Sequence, residues 1–158
     1  NDHGRSDEIL VSLGPGSFTG VRIGLAAARA LGIAWKARVS GYPTLALIAA
    51  MAQAEMSSPV DVCMNGGHGE WFVQSFDMDG LPISNIMSLT PEQAVSALSA
   101  PAIAGNRASE FAELAQRQVS AVEIVADARF VKGIPERLKT NVLSPIYGRA
   151  PDAKAPAR

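Results

Sequence analysis

The chain has 158 residues, 47% of them hydrophobic and 18% charged, a balance that excludes a disordered chain and is enough for one domain with a core or two small lobes. Its 14 Lys and Arg against 15 Asp and Glu leave a net charge of -1, which supplies no field for direct binding of nucleic acid. No apolar run reaches the roughly 20 residues of a membrane span, because Arg29, Gly32 and Pro43 break up the longest ones.

In chain order, residues 1–8 are polar and carry no apolar segment of the signal-peptide kind. With no Met at position 1, the chain is expected to be the later part of a longer protein. Residues 9–13 predict a short buried strand and 14–20 a loop. The Ala- and Leu-rich stretch 21–36 predicts a helix. Residues 39–41 are expected to be extended. Pro43 suits the first position of a second helix that ends near Glu55, before Ser57, Ser58 and Pro59.

Residues 60–64 and 70–76 read as strands joined by a hairpin-type connection over 65–69. Asp79-Gly80 marks a turn before a third strand over 83–89, which completes an antiparallel meander. Thr90, Pro91 and Gln93 spell a capping box for a helix ending near Ser99. A strand over 102–104, a helix over 108–117, a strand over 122–125 and a short helix over 127–131 follow. Residues 145–149 read as extended. The expected boundary near Ser58 and Pro59 divides the chain into 1–58, 59–150 and a loose tail, 151–158.

Three glycines and a proline fall within 14–20, directly after a strand and before a helix. Such a loop can let backbone N–H groups hold an anion at the helix N-terminus. It lacks the Lys-Ser or Lys-Thr of a P-loop and the spacing of a dinucleotide fingerprint. The reading favoured by the residues is a tight strand-to-helix turn. In the helix, Gly20, Gly24, Ala28 and Gly32 recur every four residues and form one small-residue ridge. Interior glycine costs about 1 kcal/mol relative to alanine, so close approach of another element is expected. The second helix, with its small face at Ala46, Ala49, Ala50 and Ala54, is the favoured neighbour, and a partner chain is the other.

Catalytic patterns are sparse. His3 and His68 have no metal-ligand spacing. Cys63 lies in an apolar run, which suits a buried thiol in a reducing, cytoplasmic setting better than a nucleophile paired with His68. Ser17 stands one position early for a nucleophile elbow. Glu70, Asp77, Asp79, Glu92, Glu110, Glu113 and Asp127 are scattered and form no acid–base pair.

Residues 14–20 followed by Val21-Arg22-Ile23-Gly24 resemble the signature of the TsaB (YeaZ) family. These are glycoprotease-like paralogues of the enzyme that installs threonylcarbamoyl on tRNA. Gly69-Glu70-Trp71-Phe72 resembles the family's Gly-Glu-aromatic strand start. Pro145-Ile146-Tyr147 with Arg149-Ala150-Pro151-Asp152-Ala153 is similar to its C-terminal segment. Where relatives carry Asp-Ala-Arg before the Gly-Glu, this chain has Asn65-Gly66-Gly67-His68.

The resemblance implies an α/β, actin-like ATPase or ribonuclease-H-like fold of two lobes. The first lobe is N-terminally incomplete, since the family's opening strands are absent. It further implies a non-catalytic activator that binds the catalytic paralogue TsaD, with the small ATPase TsaE. That complex transfers threonylcarbamoyl to a tRNA adenosine, and tRNA is met only through the complex. Homodimers are also implied, and no membrane is. The partner-facing loop and helix would comprise Gly14, Pro15, Gly16, Ser17, Phe18, Thr19, Gly20, Arg22, Gly24 and Ala28. No catalytic residue, metal or cofactor is assigned to the chain itself, and ATP or ADP would belong at the partner interface. The alternative is a nucleotide-dependent hydrolase or transferase that uses 14–20 as a phosphate cradle.

Overall fold

The computed structural model describes residues 4–149. The expected tail, 151–158, lies outside the described residues. β1 (Glu8–Ser12) and β2 (Arg38–Tyr42) pair in parallel, with Ile9 opposite Val39 and Val11 opposite Gly41. A parallel pair needs a crossover, and α1 (Phe18–Trp35) supplies it. This helix starts three residues before the expected position 21. Ser17 is its cap, with Oγ accepting from the Gly20 N–H, so the glycine sits inside the first turn instead of breaking it. Lys36 closes the helix in the left-handed conformation, φ 55°. The Ala37 N–H then returns to the Gly32 carbonyl at 3.0 Å.

α2 (Thr44–Gln53) follows with Pro43 as its extended N-cap, where the sequence pointed to the first helical position. Leu45, Ala46, Leu47, Ile48, Ala49 and Ala52 are all buried. A helix apolar on all sides belongs in an interior, and α2 lies against the second sheet.

That sheet has five strands in the order β5-β4-β3-β6-β7. β3 (Val60–Gly67), β4 (Glu70–Phe76) and β5 (Met87–Leu89) form the expected antiparallel meander. The hairpin connection is shorter than the expected 65–69. β3 runs on to Gly67 through an irregularity after Asn65, and His68 and Gly69 reverse the chain at φ 54° and 77°. The expected strand 83–89 is reduced to its last three residues. Before them, Ser84 Oγ accepts from the Ser75 N–H at 2.9 Å and its carbonyl accepts from Gln74 Nε2 at 2.9 Å. Together with one backbone bond, from the Ile83 N–H to the Ser75 carbonyl at 2.9 Å, these hold the segment on β4 without a regular ladder.

On the other side of β3, β6 (Ala102–Ala104) and β7 (Ser120–Val122) pair in parallel. α3 (Pro91–Ala97) carries both bonds of the predicted capping box between Thr90 and Gln93, and it ends two residues before Ser99. α4 (Ala108–Leu114) stops before the expected 117 because Ala115 is extended. β7 lies two residues before the expected start at 122. The expected short helix at 127–131 is a 3₁₀ turn, Ala128–Gly133, and a second spans Glu136–Leu138. Residues 145–149 join no sheet.

Strand alternation divides the core between the two faces of this sheet. Val60, Val62, Phe76, Ala102 and Ala104 face α2 and Tyr42, while Cys63, Trp71, Val73 and Ile103 face Ala94 and Leu98 near α3 and Phe111 of α4. Ala102 and Ala104 stand where larger residues would displace α2. Ala104→Leu should therefore destabilise the fold by about 1–3 kcal/mol, the usual cost of overpacking, and lower the urea midpoint accordingly. An unchanged midpoint in equilibrium unfolding would contradict this packing.

Candidate partner-docking surface

The loop after β1 is held from several sides. The Leu13 N–H donates to the Tyr42 carbonyl at 2.8 Å, and the Ile146 N–H donates to the Leu13 carbonyl at 2.7 Å. The Thr44 N–H reaches the Gly14 carbonyl at 2.8 Å, and Ser12 Oγ and Thr44 Oγ1 share a hydrogen bond at 2.6 Å. Gly14 has φ 99°, and a Cβ there would lie 2.5 Å from the Ile146 carbonyl oxygen. The Gly14–Pro15 peptide is cis, and Pro15 is buried. Gly14 thus makes room for the returning chain at 146. A phosphate cradle would use the helix N-terminus, but Ser17 already caps it from within.

Beyond the loop, Ser17, Phe18, Thr19, Gly20 and Arg22 are exposed, whereas Gly16 is half-buried. The Arg22 guanidinium lies 3.7 Å above the centre of the Phe18 ring. Its Nε and Nη2 donate to Tyr147 Oη at 3.2 and 3.0 Å. Phe18 and Tyr147 stack with ring centres 5.7 Å apart. These two rings are 54% and 44% exposed.

The two faces of α1 differ in what they meet. Leu25, Ala28 and Gly32 are buried, and α1 lies on β1 and β2. A Cβ on Gly24 would stand 3.9 Å from Val11, and one on Gly32 would collide with Val39. The small-residue ridge therefore packs on the two-stranded sheet, not on α2, and its Gly24 and Ala28 turn inward. The outward face carries Ile23 at 64% exposure and Ile33 at 83%, with exposed Ala26, Ala27 and Ala30 between them and Ala34 beyond. Arg22 and Arg29 are the helix's charged residues, and it has no acidic one. Isolated exposed apolar side chains are ordinary; here Ile23 and Ile33 share one side of the helix with exposed alanines. Sequence reasoning passed over Ile23 and Ile33. The available signal was that α1 is apolar on nearly every side while a sheet can cover only one.

Elsewhere, the reactive side chains are engaged. Burial first, then Glu110, pushes the Cys63 thiol up to about 12. Arg149 Nη2 lies 2.6 Å from His68 Nδ1, and Arg149 Nη1 donates to Glu70 Oε2 at 3.1 Å. Ser88 Oγ donates to the same Glu70 oxygen at 2.5 Å. Glu110 pairs with Arg107 at 2.8 Å. Among the described residues, no three His, Cys, Asp or Glu side chains converge as metal ligands. No described helix is long and apolar enough to cross a membrane.

Two outcomes follow from these side chains. In the folded protein Cys63 should resist iodoacetamide at pH 8 and react once urea unfolds the chain; mass spectrometry of the alkylated protein reads this directly. The Ser88 hydroxyl, then Arg149, holds the Glu70 carboxyl below its ordinary value of 4.5. A depressed folded value means that the contribution is complete above the unfolded pKa and is lost as pH falls through the folded one. The stability gap between wild type and Glu70→Gln should therefore be present at pH 7 and close on acidification below about 4.5, as urea midpoints at pH 7 and pH 3 would show.

The family model for tRNA N6-adenosine threonylcarbamoyltransferase (TsaD) matches residues 4–131. Comparison with curated proteins gives no match. Among solved structures, YeaZ from Pseudomonas aeruginosa aligns with a TM-score of 0.72 at 21% identity, covering 89% of this chain and 73% of that one. A second, described as an uncharacterized protein with similarity to peptidase YeaZ from Pseudomonas aeruginosa, aligns at 0.68 and 21% identity, covering 90% and 74%. These likenesses bear out the expected fold, with its mixed α/β layers around a five-stranded sheet. The chain belongs to the tRNA N6-adenosine threonylcarbamoyltransferase family and has the actin-like, ribonuclease-H-like fold of YeaZ.

Proposed function

We propose that this chain is a docking subunit in threonylcarbamoyladenosine formation on tRNA, and that it activates a catalytic paralogue without performing the transfer itself. Family membership supports the pathway. The observation that carries the docking role is the exposed apolar stripe of α1, from Ile23 to Ile33, on a helix with no acidic residue. Fully burying an isoleucine is worth about 1.5–3 kcal/mol, and aromatic and arginine side chains such as Phe18 and Arg22 are typical anchors of interfaces. Cys63 is buried and His68 is tied to Arg149, so neither stands ready as a nucleophile or base.

In this reading β1, β2, α1 and α2 belong to a first lobe that ends near residue 58, and the loop at 14–20 shapes its partner-facing end. TsaD is the partner, with TsaE joining the assembly and tRNA reached through it. The same stripe serves self-association when the partner is absent. The phosphate-cradle alternative is weakened by the Ser17 cap and by the chain at Ile146 that fills the space beside Gly14.

The test is titration of the chain against its catalytic paralogue by calorimetry. Ile33→Glu should weaken binding at least tenfold while circular dichroism stays native, and Val125→Glu, on an exposed site away from α1, should bind as wild type does. Equal binding by Ile33→Glu would remove α1 from the interface. Gly24→Leu is a poor probe of docking, because its side chain would push against Val11.

A further inference from the structure

Residues 140–149 form no helix or sheet of their own, yet they are fastened along their length. At the start, the Gly41 N–H donates to the Thr140 carbonyl at 2.7 Å and the Thr140 N–H donates back to the Gly41 carbonyl at 2.9 Å. Ser40 Oγ donates to Asn141 Oδ1 at 2.9 Å. Arg29, from the middle of α1, donates to the Leu143 carbonyl at 2.6 Å. Ile146 bonds to Leu13, and Tyr147 meets Phe18 and Arg22 at the first turns of α1. A Cβ on Gly148 would overlap the Phe72 ring, so the chain passes against β4 there. Arg149 ends the run on Glu70 and His68. This segment is a strap that links β2, α1, the loop at 14–20 and the β3–β4 hairpin.

Its chemistry converges on Tyr147. The Arg22 guanidinium is a rotamer-rich charged group that would otherwise move freely in solvent. Two donors to one phenolic oxygen, with the Phe18 ring underneath, fix it in one place. The three groups close a triangle: the guanidinium lies 3.7 Å from the Phe18 ring centre and 5.9 Å from that of Tyr147, and the two rings stack on each other. A surface ordered before association loses less on binding than a loose one. Resting on the docking reading of α1, we infer that Tyr147 is a positioning residue: it presets Phe18 and Arg22 at the docking end of α1, and the strap holds Tyr147 in place.

The experiment compares wild type, Tyr147→Ala and Tyr147→Phe as full chains. Amide hydrogen exchange is followed in the free protein, and affinity for the catalytic paralogue is followed by calorimetry. Tyr147→Ala should raise exchange at residues 21–25 about tenfold, leave β3 and β4 protected, and weaken docking about tenfold. Tyr147→Phe keeps the ring stacked on Phe18 but loses the oxygen that accepts both Arg22 donors, so its exchange and affinity should fall between those of wild type and Tyr147→Ala. Unchanged exchange at 21–25 in Tyr147→Ala, with wild type still binding, would overturn the strap's role. So would exchange raised throughout the chain, because that describes loss of fold and not loss of positioning. Failure of wild type itself to bind would overturn the docking reading and this inference with it.

Discussion

Burial of α2 is the constraint on which the other elements depend. The helix packs on Tyr42 and Leu10 of the two-stranded layer and on the five-stranded sheet through seven buried residues, with Ala50, Met51 and Gln53 half-buried. Its closeness to the larger sheet requires alanines at 102 and 104. Its first turn is tied to the preceding loop, with the Thr44 N–H on the Gly14 carbonyl and the Thr44 hydroxyl on Ser12. The position of α2 therefore fixes the loop at 14–20, and the loop fixes where α1 begins.

α1 then inherits a fixed orientation. Glycine and alanine on its inner side bring it down onto Val11 and Val39, close enough that larger side chains would lift it away. The helix is thereby committed to showing its other apolar side outward. That side has arginines and no carboxylate, so a complementary surface would be apolar at its centre and acidic near its edge. The same logic accounts for the quiet chemistry of the remainder. Cys63 lies on β3 beneath α3 and α4, and the polar groups around Glu70 bind one another.

Much of the fold was legible where the determinants were local. The capping box of α3 needs only Thr90 and Gln93, and the hairpin of β3 and β4 needs only period-two alternation with glycine at the turn. The start of α1 was misplaced because Gly20 resembles a breaker while the Ser17 cap overrides it. Residues 83–86 have strand composition, yet Ser84 spends its bonds on β4 through its side chain and carbonyl. The candidate site was legible in part. The loop at 14–20 and Arg22 stood out from the motif, but no local pattern could bring Tyr147 to Arg22, 125 residues away. Nor could it show that Gly24 and Ala28 would turn inward while Ile23 and Ile33 turned outward. That choice depends on which side the sheet occupies.

The two sides of α1 also answer to different histories. Inward positions such as Ala28 and Gly32 are limited by the volume left above β1 and β2, so every change there is judged within this chain alone. Outward positions such as Ile33 cost the isolated chain little, and any restraint on them comes from whatever surface they meet. Along one helix, substitutions would then accumulate in two independent patterns: a fixed set of small residues facing inward, and an outward set that drifts freely wherever no other surface covers it.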